Sequence, residues 1–210
     1  MDKRNSAKPL HLFLLLSLAA VFLWSMIHPR QWDTWVMEVT PAVVGTAILL
    51  ATYRRFRLTS VTYVLIWFFS IILIIGGHYT YAEMPLFNWL RDTYHLSRNH
   101  YDRFGHFFQG VTPALLAREL LLRTSPLKRG KWLFFIVCCI CLAISAGYEL
   151  VEWGASVALQ EGAESFVGSQ GDVWDAQKDM FLCLCGAIAA QLALGRLQDR
   201  QLEKQIGKNR

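Results

Sequence analysis

Residues 58–77 read LTSVTYVLIWFFSIILIIGG, a run without a single Asp, Glu, Lys, Arg or His. As an α-helix rising 1.5 Å per residue it is about 30 Å long, the thickness of the hydrocarbon core of a bilayer. A surface helix of a soluble domain would break such a run with charges on its outward face. This stretch therefore sets the class of the molecule: it predicts a membrane-spanning helix, and the rest of the chain follows the same pattern.

Working outward, further apolar stretches lie at 10–27 and 36–53 upstream, and at 104–122, 132–153 and 176–195 downstream. Six spans of this kind predict an all-α, polytopic transmembrane helix bundle, with residues 1–210 forming one integral membrane domain and 196–210 a basic tail. Charged residues make up 18% of the chain and apolar ones 54%. A soluble domain carries about 25% charged residues, which excludes an ordinary cytosolic enzyme. The stretch at 104–122 is the most polar, holding His106, Gln109, Arg118 and Glu119. It is expected to pack inside the bundle, away from lipid. The first stretch follows Lys3, Arg4 and Lys8 as a secretory leader would, yet it runs on through Trp24 and Met26 without a small-residue cleavage pattern. It is expected to be an uncleaved first span.

Basic residues cluster in alternate connections: Lys3, Arg4 and Lys8; Arg54, Arg55 and Arg57; Arg123, Lys128, Arg129 and Lys131; Arg196, Arg200, Lys204, Lys208 and Arg210. Positive charge marks the cytoplasmic side, so both termini are expected inside. The net charge of +5 is accounted for by this bias, and no nucleic-acid partner is inferred from it. The other connections, 28–35, 78–103 and 154–175, then face outward; the last carries Glu161, Glu164, Asp172 and Asp175 with no Lys or Arg. Cys138, Cys139, Cys141, Cys183 and Cys185 fall within spans, where small polarisable core residues are the expected reading over soft metal ligands.

On this topology the chain's unusual acids and its histidine gather at the outer face. The fourth span opens Asp102-Arg103-Phe104-Gly105-His106-Phe107-Phe108-Gln109. Asp102 and His106, four apart, share a helix face, so the carboxylate can orient the imidazole as in acid–base pairs and metal sites. A capped helix entry explains Asp102 equally well. The fifth span closes with Tyr148-Glu149-Leu150-Val151-Glu152, placing Glu149 and Glu152 on one face, where they repel unless a proton, a cation or a basic partner joins them. The sixth is entered through Asp172, Asp175 and Asp179, a three-then-four spacing that draws one helical stripe. Asp175 also suits a helix N-terminus; Asp179 precedes an apolar run and has no such explanation. His78 and Glu83 lie among Tyr79, Tyr81 and Trp89, an aromatic belt, while Phe87, Leu90 and Tyr94 suggest a short surface helix.

Asp, His and Glu converging from three helices form a ligand set for a divalent metal such as Zn²⁺, Mn²⁺ or Mg²⁺, with His106, Glu149, Asp175 and Asp179 as the candidate ligands. In a catalytic reading His106 is the acid or base, Asp102 its orienter, and Glu149 and Asp179 ion or proton ligands. Arg98, Arg103 and Glu152 would contact substrate, the two arginines by clamping a phosphate or carboxylate. The sequence has no His-Glu-x-x-His, no P-loop and no Gly-x-Ser-x-Gly elbow, so residue type and convergence carry this reading.

Through Gly77-His78-Tyr79-Thr80-Tyr81-Ala82-Glu83 and the strings at 98–110, 145–153 and 170–180, the chain resembles the YjdF-like family of bacterial inner-membrane proteins over nearly its whole length. That resemblance implies a multi-pass inner-membrane protein and no established activity. A looser similarity to VanZ-like membrane proteins rests on Asp102-Arg103-Phe104-Gly105-His106-Phe107, on Tyr148-Glu149 and on Asp175-Ala176-Gln177-Lys178-Asp179. Asp179 stands there for that family's usual Asn, and Glu152-Trp153 departs from its Gln after the acid. It implies an envelope or lipid context. Three functions stay open: a site binding an envelope lipid, its headgroup or a metal ion; a proton- or cation-coupled transporter; and a structural or assembly protein. The bilayer is the one certain partner, and oligomeric state is not read from the sequence. Fusing a periplasm-active reporter at Arg210 should give a silent fusion; activity there would reverse the orientation.

Overall fold

The computed structural model describes residues 8–159 and 169–206, so Lys3, Arg4, Glu161, Glu164, Lys208 and Arg210 lie outside the described residues. The described residues form helices joined by turns and short connections, with no strand among them. The long helices are α1 (Lys8–Ser25), α2 (Trp32–Thr52), α3 (Ser60–Tyr79), α5 (Tyr101–Thr124), α6 (Lys131–Leu159) and α7 (Asp175–Ile206). A single 3₁₀ turn at Tyr81–Glu83 and a short helix α4 (Pro85–Tyr94) connect α3 to α5. Five helices, α1, α2, α3, α6 and α7, are long and apolar enough to cross a membrane. The molecule is a polytopic helical bundle.

The sixth expected span, α5, is the polar exception, and its burial shows how the bundle accommodates it. At 24 residues it is about 36 Å long and runs from one end of the bundle to the other. Its buried face includes Asp102, His106, Gln109, Arg118 and Glu119 alongside Ala114 and Leu115. It contacts α3, α6 and α7, most extensively α7. Side chains facing outward from the flanking helices, such as Phe13, Leu16, Ile48, Phe135 and Leu192, are apolar and exposed. That is the reverse of a soluble surface and the arrangement lipid requires.

Two glycines set the α5–α7 spacing. A Cβ on Gly110 would lie 1.8 Å from the Cys183 carbonyl oxygen, and one on Gly186 would lie 2.0 Å from that of Phe107. The two backbones touch, the close approach that small residues permit in membranes. Gly147, by contrast, faces open space. Around this contact Val111, Leu115, Val137, Cys141, Cys183 and Ala187 form one core cluster. All five cysteines are free thiols; the Cys183 thiol meets the Cys141 carbonyl at 3.4 Å, helix to helix.

The two ends of the bundle are chemically distinct. At one end the described members of the basic clusters meet: Arg123 donates to the Arg57 carbonyl (2.7 Å), Arg129 pairs with Glu203 (2.6 Å) and Gln205 reaches the Leu58 carbonyl (3.2 Å). Glu119, fully buried there, caps α3 by accepting from Thr59 N–H (2.9 Å), the Thr59 hydroxyl (2.7 Å) and the Thr62 hydroxyl (2.9 Å). Arg123 neutralises it at 2.9 Å. Arg118 lies between Asp199 (2.8 Å) and Gln198 (2.9 Å). The acids and His106 occupy the opposite end.

The helices extend beyond the stretches read from hydropathy. α6 runs to Leu159 rather than 153, and α7 to Ile206 rather than 195. Hydropathy marks the part of a helix inside hydrocarbon; backbone hydrogen bonding continues past the interface. Gly110→Ala and Gly186→Ala should each destabilise the detergent-solubilised protein by about 1–3 kcal/mol, the usual cost of overpacking, read as a lowered thermal midpoint. Gly147→Ala should be neutral or slightly stabilising, since its added methyl meets nothing and helix propensity improves.

Candidate functional site

The site is assembled by the entry of α5, the exit of α6 and the entry of α7. Asn99 opens α5, its side-chain oxygen accepting from Tyr101 N–H at 3.0 Å. Asp102 is thus already inside the helix and does not cap it; with His106 it projects into the bundle, each 4% exposed. His106 Nδ1 meets Gln109 Oε1 at 2.9 Å. With the amide oxygen placed there, Nδ1 donates to Gln109 and the Nε2 edge of the ring faces the acids. Asp102 Oδ1 lies 3.5 Å from Nε2 and Glu149 Oε1 lies 3.7 Å from it. One oxygen each of Asp102 and Asp179 and one ring nitrogen of His106 lie within 4.8 Å of one another.

The remaining acids divide by partner. Asp175, at the first position of α7, is bound by Arg98 in a very short contact, and Arg98 also reaches Asp102 Oδ2 at 3.6 Å. Asp172 lies before α7, in the turn that introduces it. Its Oδ1 accepts from Trp174 N–H (3.1 Å), and its Oδ2 meets both Arg103 and Lys178 at 2.5 Å. Those donors, led by the Lys178 contact, hold its carboxyl down at about 2. Nearby, burial followed by the charges of Arg103 and Arg98 lowers the pKa of His100. The expected single stripe of Asp172, Asp175 and Asp179 therefore holds only for the last two, because α7 begins at Asp175.

The structure brings Asp102, His106, Glu149 and Asp179 together and sets Asp175 aside with Arg98. Arg98 and Arg103, read as a substrate clamp, are here occupied by Asp102, Asp172 and Asp175. Glu152 is 6% exposed on the same stretch of α6 as Glu149. His78 and Glu83 stand apart. His78 bonds the Ser25 carbonyl (3.0 Å) and stacks on Trp24, and Glu83 pairs with Arg30 at 2.6 Å in the open. The expected short helix at Phe87, Leu90 and Tyr94 is α4, and its Phe87 packs on Tyr101 and Phe104.

The sequence reading passed over Glu38. It is 1% exposed on α2, and the Tyr148 hydroxyl donates to it at 3.3 Å. Its signal was present: it is the one acid within the stretch 36–53. Gly77 makes room for it, since a Cβ there would lie 3.2 Å from the Glu38 Cβ.

Charge at this end is unbalanced. Among the described residues, Glu38, Glu149, Glu152 and Asp179 form no ion pair with Lys or Arg, and His106 is the basic group near them. Asp179 Oδ1 and Glu149 Oε1 are buried with no hydrogen-bond partner. Buried acceptors of this kind are rare and costly. Donors around a tetrahedral metal ion with ~2.1 Å bonds lie about 3.4 Å apart, so the Asp102, His106 and Asp179 donors, now within 4.8 Å of one another, would close by up to about 1.4 Å to hold one.

The family described as "Predicted membrane protein (DUF2238)" matches residues 10–200 of this chain. Inner membrane protein YjdF of Escherichia coli (strain K12) is 47% identical over 189 residues, covering 90% of each chain. No solved structure matches. Replacing Arg98 by Ala should destabilise the protein by about 3–5 kcal/mol, because Asp102 and Asp175 lose their buried counter-charge. Adding Asp175→Asn to that variant should recover part of the loss, measured by thermal unfolding in detergent.

Proposed function

The chain belongs to the DUF2238 family of predicted membrane proteins, and from that premise we propose a multi-pass inner-membrane protein that holds a divalent cation at the periplasmic end of its bundle. Asp102, His106 and Asp179 are the ligands, and Glu149 and Glu152 supply adjacent negative charge. The observation that carries this reading is the pair of orphaned oxygens, Asp179 Oδ1 and Glu149 Oε1, buried beside the Nε2 edge of His106. A cation held there would take up the Asp179 oxygen directly and offset the charge of Glu149 beside it. The donor set, one imidazole among carboxylates, suits Zn²⁺ or Mn²⁺ better than Mg²⁺. Gln109 on the far ring nitrogen supports the same reading, since it orients a ligating histidine as outer partners commonly do.

In this proposal both termini are cytoplasmic, and the site opens toward the periplasm past Arg103, Asp172 and Lys178. A bound cation supplies Lewis acidity and charge for an anionic oxygen, which makes the phosphate of an envelope lipid headgroup the fitting ligand class. Arg103 and Lys178, both held by Asp172 at the rim, are the groups such a phosphate would draw away. A purely structural reading draws on Arg98, whose pairing of Asp102 with Asp175 ties α5 to α7 regardless of any ion.

Metal content separates the two. Protein purified in detergent should carry close to one equivalent of Zn²⁺ or Mn²⁺ by elemental analysis. His106→Ala and Asp179→Asn should each lose most of it while keeping wild-type helicity. Equal metal content in wild type and both folded variants would leave the structural reading standing.

A further inference from the structure

At the cytoplasmic end, away from the acids, three helices leave a space that the proposed cation site does not use. α1 and α2 each pack on α3 but barely on one another. They are joined at the outer end, where Trp35 Nε1 donates to the Ser25 hydroxyl at 3.1 Å and Trp35 packs on Phe22. Toward the inner end they diverge. The gap is a half-open apolar cleft of about 290 Å³ whose walls include Leu14, Leu18, Leu49, Leu50, Ile66 and Trp67.

Its length is informative. On α1 the lining runs from His11 to Leu18 and on α2 from Thr46 to Tyr53. Each is about 10 Å of helix rise, ending well short of the ~15 Å half-thickness of the hydrocarbon core. The cleft is therefore confined to one leaflet. Its inner end closes on a polar group: His11 Nδ1 lies 2.9 Å from the Tyr53 hydroxyl, and Nε2 lies 3.4 Å from the Ser60 hydroxyl. Arg57 Nη2 approaches His11 Nδ1 at 3.3 Å, and its guanidinium lies over the Tyr53 ring. Arg54 and Arg55, both exposed, flank the same end. An apolar slot one leaflet deep, opening sideways to lipid and headed by three arginines, matches an anionic phospholipid in chain and in charge.

We propose that the α1–α3 cleft is a specific site for one anionic glycerophospholipid of the cytoplasmic leaflet, its acyl chain along Leu14–Leu18 and its phosphate at Arg57. The basic residues at this end then serve as a headgroup site as well as a topology signal. A zwitterionic lipid offers the same chains, so charge is what selects the occupant. Each Lys or Arg near an anionic lipid surface contributes attraction that amounts to about fivefold in binding.

The test uses the full-length protein in detergent with defined lipid added, and reads bound lipid by native mass spectrometry. Phosphatidylglycerol should be retained as a single molecule in preference to phosphatidylcholine of identical chains. Arg57→Gln should reduce that retention about fivefold. Leu15 also lines the cleft, and Leu15→Trp, which fills it without touching charge, should also reduce retention. Thermal unfolding of each variant confirms folding, and the wild type alone should gain thermal stability from phosphatidylglycerol. Equal retention of the two lipids by wild type overturns the proposal. So does undiminished phosphatidylglycerol binding in the folded, cleft-filled variant, which would place the lipid on the basic surface alone.

Discussion

The bundle depends on keeping one polar helix out of lipid. α5 carries Asp102, His106, Gln109, Arg118 and Glu119 along a single length. In hydrocarbon, with no water to compensate, each would cost several kcal/mol if left unpaired. The solution is backbone contact: Gly110 and Gly186 let α5 and α7 approach until the carbonyls of Cys183 and Phe107 occupy the space side chains would need. α3 and α6 pack on α5 as well. The apolar residues, which in a soluble protein would form the interior, face outward on α1, α2, α6 and α7.

The two ends of α5 then treat buried charge in opposite ways. At the basic end Glu119 is satisfied from Thr59, Thr62 and Arg123, and Arg118 from Asp199 and Gln198. Gln198 extends the network to the Leu115 carbonyl at 2.6 Å and the Thr62 hydroxyl at 3.1 Å. That is a closed polar network, and closed networks hold helices together. At the acidic end acceptors outnumber donors, and some are orphaned. The same helix supplies both environments, so the contrast is one of partners, not of burial.

Much of this was legible in the sequence because hydropathy and charge act over whole segments. The stretch 58–77 announced its helix, and described members of the basic clusters, Arg57, Arg123 and Arg129, do lie at one end of the bundle. Helix-face spacing correctly joined Asp102 to His106 and Asp175 to Asp179. What escaped depends on neighbours distant in sequence. Nothing local says that Arg98 takes Asp175 out of the ligand set across 77 residues. Nor does local pattern place Asp172 before the helix, where it faces Arg103 and Lys178. Glu38 was visible as a lone acid in an apolar stretch, but its link to the site passes through Tyr148 on another helix.

The division of the acids explains how an electronegative cluster survives at a membrane boundary. Asp172 and Asp175 are spent on Arg103, Lys178 and Arg98, and those pairs tie the entry of α7 to the entry of α5. Asp102 belongs to both groups. One of its oxygens faces Arg98 at 3.6 Å, and the other faces His106 Nε2 at 3.5 Å. Arg98 thus holds Asp102 toward the histidine, and among the described residues Asp179 and Glu149 have His106, not an arginine, as their basic neighbour. A purely structural cluster would gain by extending the arginine pairing to every acid. Among the described residues the pairing with Arg or Lys at this end stops at Asp102, Asp172 and Asp175, and Asp179 and Glu149 are left beside a buried imidazole, the placement on which the proposed cation site rests.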